Sequence, residues 1–282
     1  MRTMADVVLI TGCSSGIGQA AAEQLCRAGH LVYATARKPE TLAGLAELGC
    51  KTLALDVNSE SSMAAAVSAV EDAHGAVDVL INNAGYGQYG PIEQVSLDDV
   101  RQQFETNVFG LIRLTQLVLP AMRAKGRGRV INVSSMGGRT TLPGGGFYHA
   151  SKYAVEAISD ALRIEVRRFG IDVVLIEPGV VRTPWADVAL THQQASSDDQ
   201  ADPYADFKKA VADSFQSGYE GPLARWSISA EDVAKVIRKA VGARKPRTRY
   251  LISPLAKSLV AAKRILPDRV HDAVLKQQYK LP

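Results

Sequence analysis

Seven short, largely apolar runs recur along the chain, at residues 7–10, 31–35, 51–55, 77–81, 129–133, 172–176 and 248–252. They are rich in β-branched residues and end in turn residues, the pattern of strands buried on both faces. Between them the apolar positions switch to helical spacing. Ile17, Ala20, Ala21, Leu25 and Ala28 predict one helix, and a second spans about Ser59 to Ala73. A long one starts at Ser96, with Asp98 and Asp99 in its first turn, and runs through Val100, Phe104, Val108, Leu111, Ile112 and Leu119 towards Met122. Ala154, Val155, Ala157, Ile158, Ala161 and Leu162 predict another, and Ser229 caps a further one through Ala243. Strands alternating with helices of this length predict an α/β fold with a parallel sheet and right-handed crossovers. In such sheets ligands lie at the carboxyl ends of the strands.

Those ends carry the informative residues. The first strand runs into Thr11-Gly12-Cys13-Ser14-Ser15-Gly16-Ile17-Gly18 and then a helix, an arrangement that presents backbone N–H groups and a positive helix end to a pyrophosphate. The second strand runs out into Ala36-Arg37-Lys38 with no carboxylate. A carboxylate there would bind the ribose 2′-hydroxyl of NAD, whereas a guanidinium suits a 2′-phosphate, so NADP(H) is expected over NAD(H). Asp56 and Asn82 end the third and fourth strands, and Ser134-Ser135 ends the fifth. Asn107 interrupts an apolar helix face where Asn is a poor helix former, which fits either a polar task or a satisfied core amide.

Tyr148 and Lys152 are four apart at the start of a helical pattern and share one face. A free phenol titrates near about pH 10, too high for proton transfer at neutrality, and a neighbouring ammonium lowers that value. The pair is therefore expected to make Tyr148 a usable proton donor and acceptor.

Composition narrows the setting. At 282 residues and 46% hydrophobic the chain can bury a large α/β core. Cys13, Cys26 and Cys50 have neither metal-ligand nor CxxC spacing, so no metal is expected and a reducing compartment is. A strand begins within a few residues of Met1 and no run of eighteen apolar residues occurs, so a soluble, cytoplasmic protein is expected. The net charge of +4 gives little support to nucleic-acid binding. Residues 184–227 lose clear periodicity apart from a helical patch at 204–215, and a long insertion at the strand ends is expected to be a substrate lid. The tail from Pro254 is basic and amphipathic; such a helix suits an anionic membrane surface, although packing on its own domain or a partner subunit is its commoner use.

Taken in order, Thr11-Gly12-x-x-x-Gly16-x-Gly18, Asp56-Val57, Asn82-Asn83-Ala84-Gly85, Asn107, Ser135, Tyr148-x-x-x-Lys152 and Pro178-Gly179 resemble the short-chain dehydrogenase/reductase family. The resemblance implies a single-domain, Rossmann-like, doubly wound fold with seven parallel strands, here with a lid insertion and a C-terminal helical extension at about 254–282. It implies a catalytic set of Asn107, Ser135, Tyr148 and Lys152, with Ser135 selected over Ser134 by its distance from Tyr148. Asn107 would hold a water linking Lys152 to solvent, and Lys152 would bind the nicotinamide ribose. The implied cofactor contacts are Gly12, Ser14, Ser15, Gly16, Ile17, Gly18, Arg37, Asp56, Val57, Asn83, Ala84, Gly85, Pro178, Gly179, Val181 and Thr183, besides Tyr148 and Lys152.

A finer resemblance, carried by Val32-Tyr33-Ala34-Thr35-Ala36-Arg37 and Lys245-Pro246-Arg247-Thr248-Arg249-Tyr250, is to the branch of 17β-hydroxysteroid and retinol dehydrogenases. It implies a carbonyl reductase or alcohol dehydrogenase acting on a small lipophilic carbonyl or alcohol, assembled as a homodimer or homotetramer. The alternatives are an NAD-linked enzyme working oxidatively and a non-catalytic NADP(H)-sensing protein.

Overall fold

The computed structural model describes residues 5–182, 202–220 and 226–280. Seven strands form one parallel sheet: β1 (Val7–Ile10), β2 (Leu31–Ala36), β3 (Lys51–Ala54), β4 (Val79–Asn82), β5 (Gly128–Val133), β6 (Ile171–Glu177) and β9 (Arg249–Leu251). Their order is β3-β2-β1-β4-β5-β6-β9, so the connection direction reverses between β1 and β4. The carboxyl edge of that reversal is where a doubly wound sheet opens a crevice. The seven expected strands are all present, each within two residues of its sequence-read boundaries. A two-residue parallel pair, β7 (Val181–Arg182) with β8 (Ile228–Ser229), was not expected.

Alternate strand residues feed two cores. Val8, Ile10, Val32, Ala34, Ile131 and Ile176 meet α1 (Gly16–Arg27) and α8 (Ala230–Gly242) through Leu25, Val233 and Ile237. Val7, Leu9, Leu80, Val130 and Val173 meet α3 (Glu60–His74) and α5 (Gly110–Lys125) through Val67, Val70, Leu114, Val118 and Met122. The central strands are thus apolar on both faces because both faces are covered. Each fully buried Leu or Ile contributes about 1.5–3 kcal/mol, which is what holds the strand ends in fixed register.

The long helix expected from Ser96 to Met122 is interrupted. Ser96 caps α4 (Leu97–Phe104) by accepting from Asp99 N, but Glu105–Phe109 form a π-turn before α5 begins. The extra residue in this turn holds Asn107, 1% exposed, in a polar environment described below. α2 (Ala43–Glu47) is a short helix on the way to β3. α6 (Gly146–Val166) follows the glycine-rich passage after Ser135 and carries Tyr148 and Lys152 in its first two turns.

Of the expected lid, residues 184–201 and 221–225 lie outside the described residues, as does Thr183. The described part is a helix, α7 (Ala205–Glu220), longer than the expected helical patch. Val211 of α7 is fully buried, and a Cβ on Gly144 would come within 2.9 Å of it. A buried ion pair between Asp202 and Lys208 at 2.8 Å, with Gln94 donating to Asp202 at 2.6 Å, ties the start of α7 to the segment following β4. The C-terminal extension is two helices, α9 (Pro254–Ile265) and α10 (Asp268–Gln278).

Candidate active site

A cavity of about 620 Å³ opens at the carboxyl edge of the sheet, and most of the residues singled out from the sequence line it. On one side it meets Gly12, Ser14, Ser15, Gly16 and Ile17 of the turn after β1, then Arg37, Asp56 and Val57. Asn83, Ala84 and Gly85 line its middle; Ser135, Tyr148 and Lys152 line the far side with Pro178, Gly179 and Val181. Two strands, β1 and β4, separate the end of β2 from the end of β5. At about 4.8 Å per strand, Arg37 and Ser135 therefore leave the sheet about 14 Å apart.

The turn after β1 is built for close approach. Gly12 and Gly16 have φ of +71° and +58°, conformations that disfavour any side chain. A Cβ on Gly18 would lie 2.2 Å from the Gly12 carbonyl oxygen and 2.5 Å from Asn83 Nδ2. Gly18 thus sits beneath the turn rather than in the cavity wall, and its role is to let α1 close onto the loop. Thr11 Oγ1 accepts from Asn83 N and Ala84 N, each at 3.0 Å, while Asn83 Nδ2 donates to the carbonyls of Thr11 (2.9 Å) and Gly12 (3.1 Å). Ser15, at the start of α1, makes no capping bond with its own hydroxyl, and no acidic residue occupies the first turn. The positive helix end is left facing the cavity. Arg37 is exposed and makes no ion pair among the described residues. Asp56 instead accepts from Asn58 N at 3.0 Å, which shapes its loop.

At the other side, Ser135 Oγ accepts from Gly137 N at 2.9 Å and hydrogen-bonds the Tyr148 phenol. Tyr148 is 8% exposed, and burial pushes its phenol up to about 12 against the opposing effect of that bond. This corrects the expectation that Lys152 depresses it. The Lys152 ammonium donates to the Val133 carbonyl at 2.9 Å, and its electrostatic counterpart is Glu156, one turn further along α6. Burial brings Lys152 itself down to about 8. The protein groups thus present a protonated phenol at neutral pH beside a buried lysine close to its titration point.

Asn107 lies behind this group and does not line the cavity. Its Oδ1 accepts from Tyr86 N at 3.0 Å; its Nδ2 donates to the Tyr86 carbonyl (2.8 Å) and to Ser151 Oγ (3.1 Å). Both amide hydrogens are used, so the side chain clamps the loop after β4 to α6. Ser151 in turn donates to the Tyr148 carbonyl at 2.7 Å. A Cβ on Gly85 would come within 2.9 Å of Asn107 Oδ1, so the clamp also requires a glycine there. Asn82, buried, donates to Thr115 Oγ1 and Asn132 Oδ1 and supports the sheet from within.

Several lining residues were not foreseen. Tyr86, Gln88 and Tyr89 follow the Asn83-Ala84-Gly85 segment, Met136 and Leu142 follow Ser135, and His149 follows Tyr148. The Tyr89 ring lies 5.7 Å from that of Tyr148. His149 Nδ1 contacts the Gly137 carbonyl at 3.0 Å, and burial pulls its pKa down to about 4, so the ring is neutral and donates from Nδ1. A second unforeseen group sits behind Lys152. Arg249 bridges Glu156 (3.0 Å), Glu177 (3.0 Å) and Asp160 (2.6 Å), and burial with the nearby Glu156 carboxylate raises Glu177 to about 7. The i, i+4 spacing of Lys152 and Glu156 was the available signal for it.

A family model described as short chain dehydrogenase matches residues 6–194. The chain is 39% identical to the uncharacterized oxidoreductase YbbO of Escherichia coli K12, covering 97% of this chain and 95% of that protein. It is 36% identical to the 3-ketodihydrosphingosine reductase of Bacteroides thetaiotaomicron, covering 98% of each. It is also 36% identical to the NADPH-dependent 3-dehydrocapnine reductase of Ornithobacterium rhinotracheale, covering 96% of each. Among solved structures, a short-chain dehydrogenase from Streptomyces avermitilis superposes with a TM-score of 0.79 at 32% identity, over 100% of this chain and 98% of that one.

Proposed function

The chain belongs to the short-chain dehydrogenase/reductase family, and from that premise we propose that it is an NADP(H)-dependent carbonyl reductase of a lipophilic ketone or aldehyde. The observation that carries the reading is that the glycine turn, Arg37, and the Ser135–Tyr148–Lys152 group share one cavity. The turn fits a pyrophosphate because Gly12 and Gly16 hold left-handed φ values that disfavour a side chain, and Gly18 lets α1 close beneath the loop. Ser14, Ser15, Arg37 and the backbone from Gly12 to Ile17 would hold the phosphates, and Asn83 to Gly85 with Pro178 to Val181 the nicotinamide side. When bound, the reduced cofactor supplies the hydride.

The chain's own residues supply the rest. Tyr148 donates its phenolic proton to the substrate oxygen. Ser135, already bonded to that phenol, donates to the same oxygen and stabilises its developing charge. Lys152, held by Val133 on the same wall of the cavity, would bind the nicotinamide ribose. The reductases named above favour reduction over the NAD-linked oxidative alternative. A protein that only senses the nucleotide has no need of Ser135, Tyr148 and Lys152 gathered on one wall of the cavity. Tyr86, Tyr89, Met136 and Leu142 give the substrate end an apolar wall, and the reductases named above support a lipid-like ketone. Exposed Leu97, Phe109, Tyr153 and Ile164 on α4 to α6 support a homodimer through those helices.

The cofactor half is tested by turnover with NADPH and NADH before and after Arg37→Ala, on ketones of increasing chain length. The expected result is a preference for NADPH that falls at least tenfold in the variant, about 1.4 kcal/mol for one exposed charge-assisted contact, and a KM that falls with chain length. Unchanged discrimination would remove the phosphate argument.

A further inference from the structure

We infer that the corner between α9 and α10, residues 264–270, is a docking site for an anionic lipid bilayer. The charge of this chain is unevenly placed. From residue 254 onward Lys257, Lys263, Arg264, Arg269, Lys276 and Lys280 stand against Asp268 and Asp272, a net +4. The whole chain carries +4, so the preceding 253 residues sum to zero. The structure sharpens the asymmetry. Asp268 is taken by Lys263 at 2.8 Å, while Arg264 and Arg269 are exposed and make no ion pair among the described residues.

Between and beside those two arginines the surface is apolar. Ile265 is 77% exposed, Val270 46% and Val274 48%, with Pro267 exposed at the corner itself. The sides of the helices that pack inward are settled by burial: Ala256 and Val260 on α9, His271 and Tyr279 on and just after α10. On α10 the opposite side presents Arg269, Ala273, Lys276 and Gln277, flanked by Val270 and Val274. Exposed aliphatics bracketed by cations whose stems can lie along them are what an interfacial helix offers to a bilayer.

A second copy of this chain is a poor occupant, because a symmetric contact would set one cationic corner against another. Nucleic acid would satisfy the arginines and leave Ile265 and Val270 in water. An anionic bilayer covers both. The position also has a consequence for substrate access. The inner face of α9 packs on Met136 through Ala256 and Val260, with Leu142 and Leu259 beside them, and Met136 and Leu142 are also walls of the active-site cavity. On the function proposed above, one helix thus joins the docking corner to a wall of the cavity that takes a lipophilic ketone.

The test is flotation of the full-length protein with phosphatidylcholine vesicles containing or lacking phosphatidylglycerol, without substrate or cofactor. Binding is expected only with phosphatidylglycerol and to weaken at high salt. Each cation near such a surface contributes about fivefold in partitioning, so Arg264→Glu with Arg269→Glu should lower it about 25-fold or more. Ile265→Ser with Val270→Ser should weaken binding at unchanged charge. Both variants should reduce a water-soluble ketone at the wild-type rate, which shows that they fold. The proposal is overturned if no phosphatidylglycerol-dependent flotation occurs, if neither variant changes it, or if the apolar variant instead dissociates an oligomer in vesicle-free solution. Since no turnover is read in the binding step, a failed reductase assay and a failed flotation remain separate results.

Discussion

Replacing Lys152 by methionine separates what its ammonium does to the fold from what it does for the chemistry. Lys152 is 7% exposed, and burial outweighs the opposing pull of Glu156 to bring its pKa from 10.5 to about 8. A fall of that size disfavours the charged form in the folded protein by about 3 kcal/mol, at about 1.4 kcal/mol per pKa unit. The lysine pKa is lower in the folded than in the unfolded chain. Between the two values the unfolded chain holds a proton that the folded one has released, so stability rises with pH across that window. Below pH 8 the folded protein carries the full penalty. Methionine keeps most of the volume and none of the charge. It also leaves the Val133 carbonyl without the 2.9 Å bond, a loss of about 1–2 kcal/mol.

Lys152→Met should therefore be about 1–2 kcal/mol more stable than wild type at about pH 7, or about 2–6 °C in Tm for a protein of this size. By about pH 10 the wild type has shed the proton, and the variant's advantage should shrink by about 2–3 kcal/mol. Urea unfolding of both proteins at the two pH values measures this, and comparing the variants cancels the groups they share. Reductase activity should be lost in the variant at both. An advantage that does not change with pH, or a variant clearly less stable at neutral pH, would refute the claim that the fold carries a penalised ammonium.

Two further substitutions probe the same assembly. Gly18→Ala puts a Cβ 2.2 Å from the Gly12 carbonyl oxygen, so the turn must move; NADPH affinity by fluorescence titration should fall at least tenfold, about 1.4 kcal/mol, while the circular dichroism spectrum keeps its native shape. Glu156→Gln removes the group that holds the Lys152 pKa up, so the alkaline limb of the kcat profile should move to lower pH while the rate at acidic pH is kept; an unmoved limb would take Glu156 out of the account.

The fold was legible because a parallel sheet covered on both faces writes its strands as short apolar runs, as at Val7–Ile10 and at Val173 to Ile176 within β6. The two-residue pair β7–β8 has too few positions to show any period. The π-turn at Glu105–Phe109 was hidden for a different reason: Val100, Phe104, Val108 and Leu111 keep helical spacing through it, and only Asn107 betrays it. In the site, the glycine turn and the Tyr148–Lys152 pair are local in sequence and were read directly. What depends on distant partners was not. Arg249 meets Glu156 across 93 positions, and the burial that raises the Tyr148 phenol is a property of the assembled site rather than of an i, i+4 pair. Proximity of a cation suggested a lowered phenol; desolvation, the larger effect, raises it.

The most direct test of the central claim is NADPH oxidation with a responsive ketone, measured for wild type and Tyr148→Phe at equal cofactor occupancy. General-acid catalysis by a positioned phenol contributes about 10²–10⁴-fold, so with NADPH saturating the variant should lose at least a hundredfold in kcat. Equal rates in the two proteins would show that the proton comes from elsewhere, and the role given to Tyr148 would be wrong.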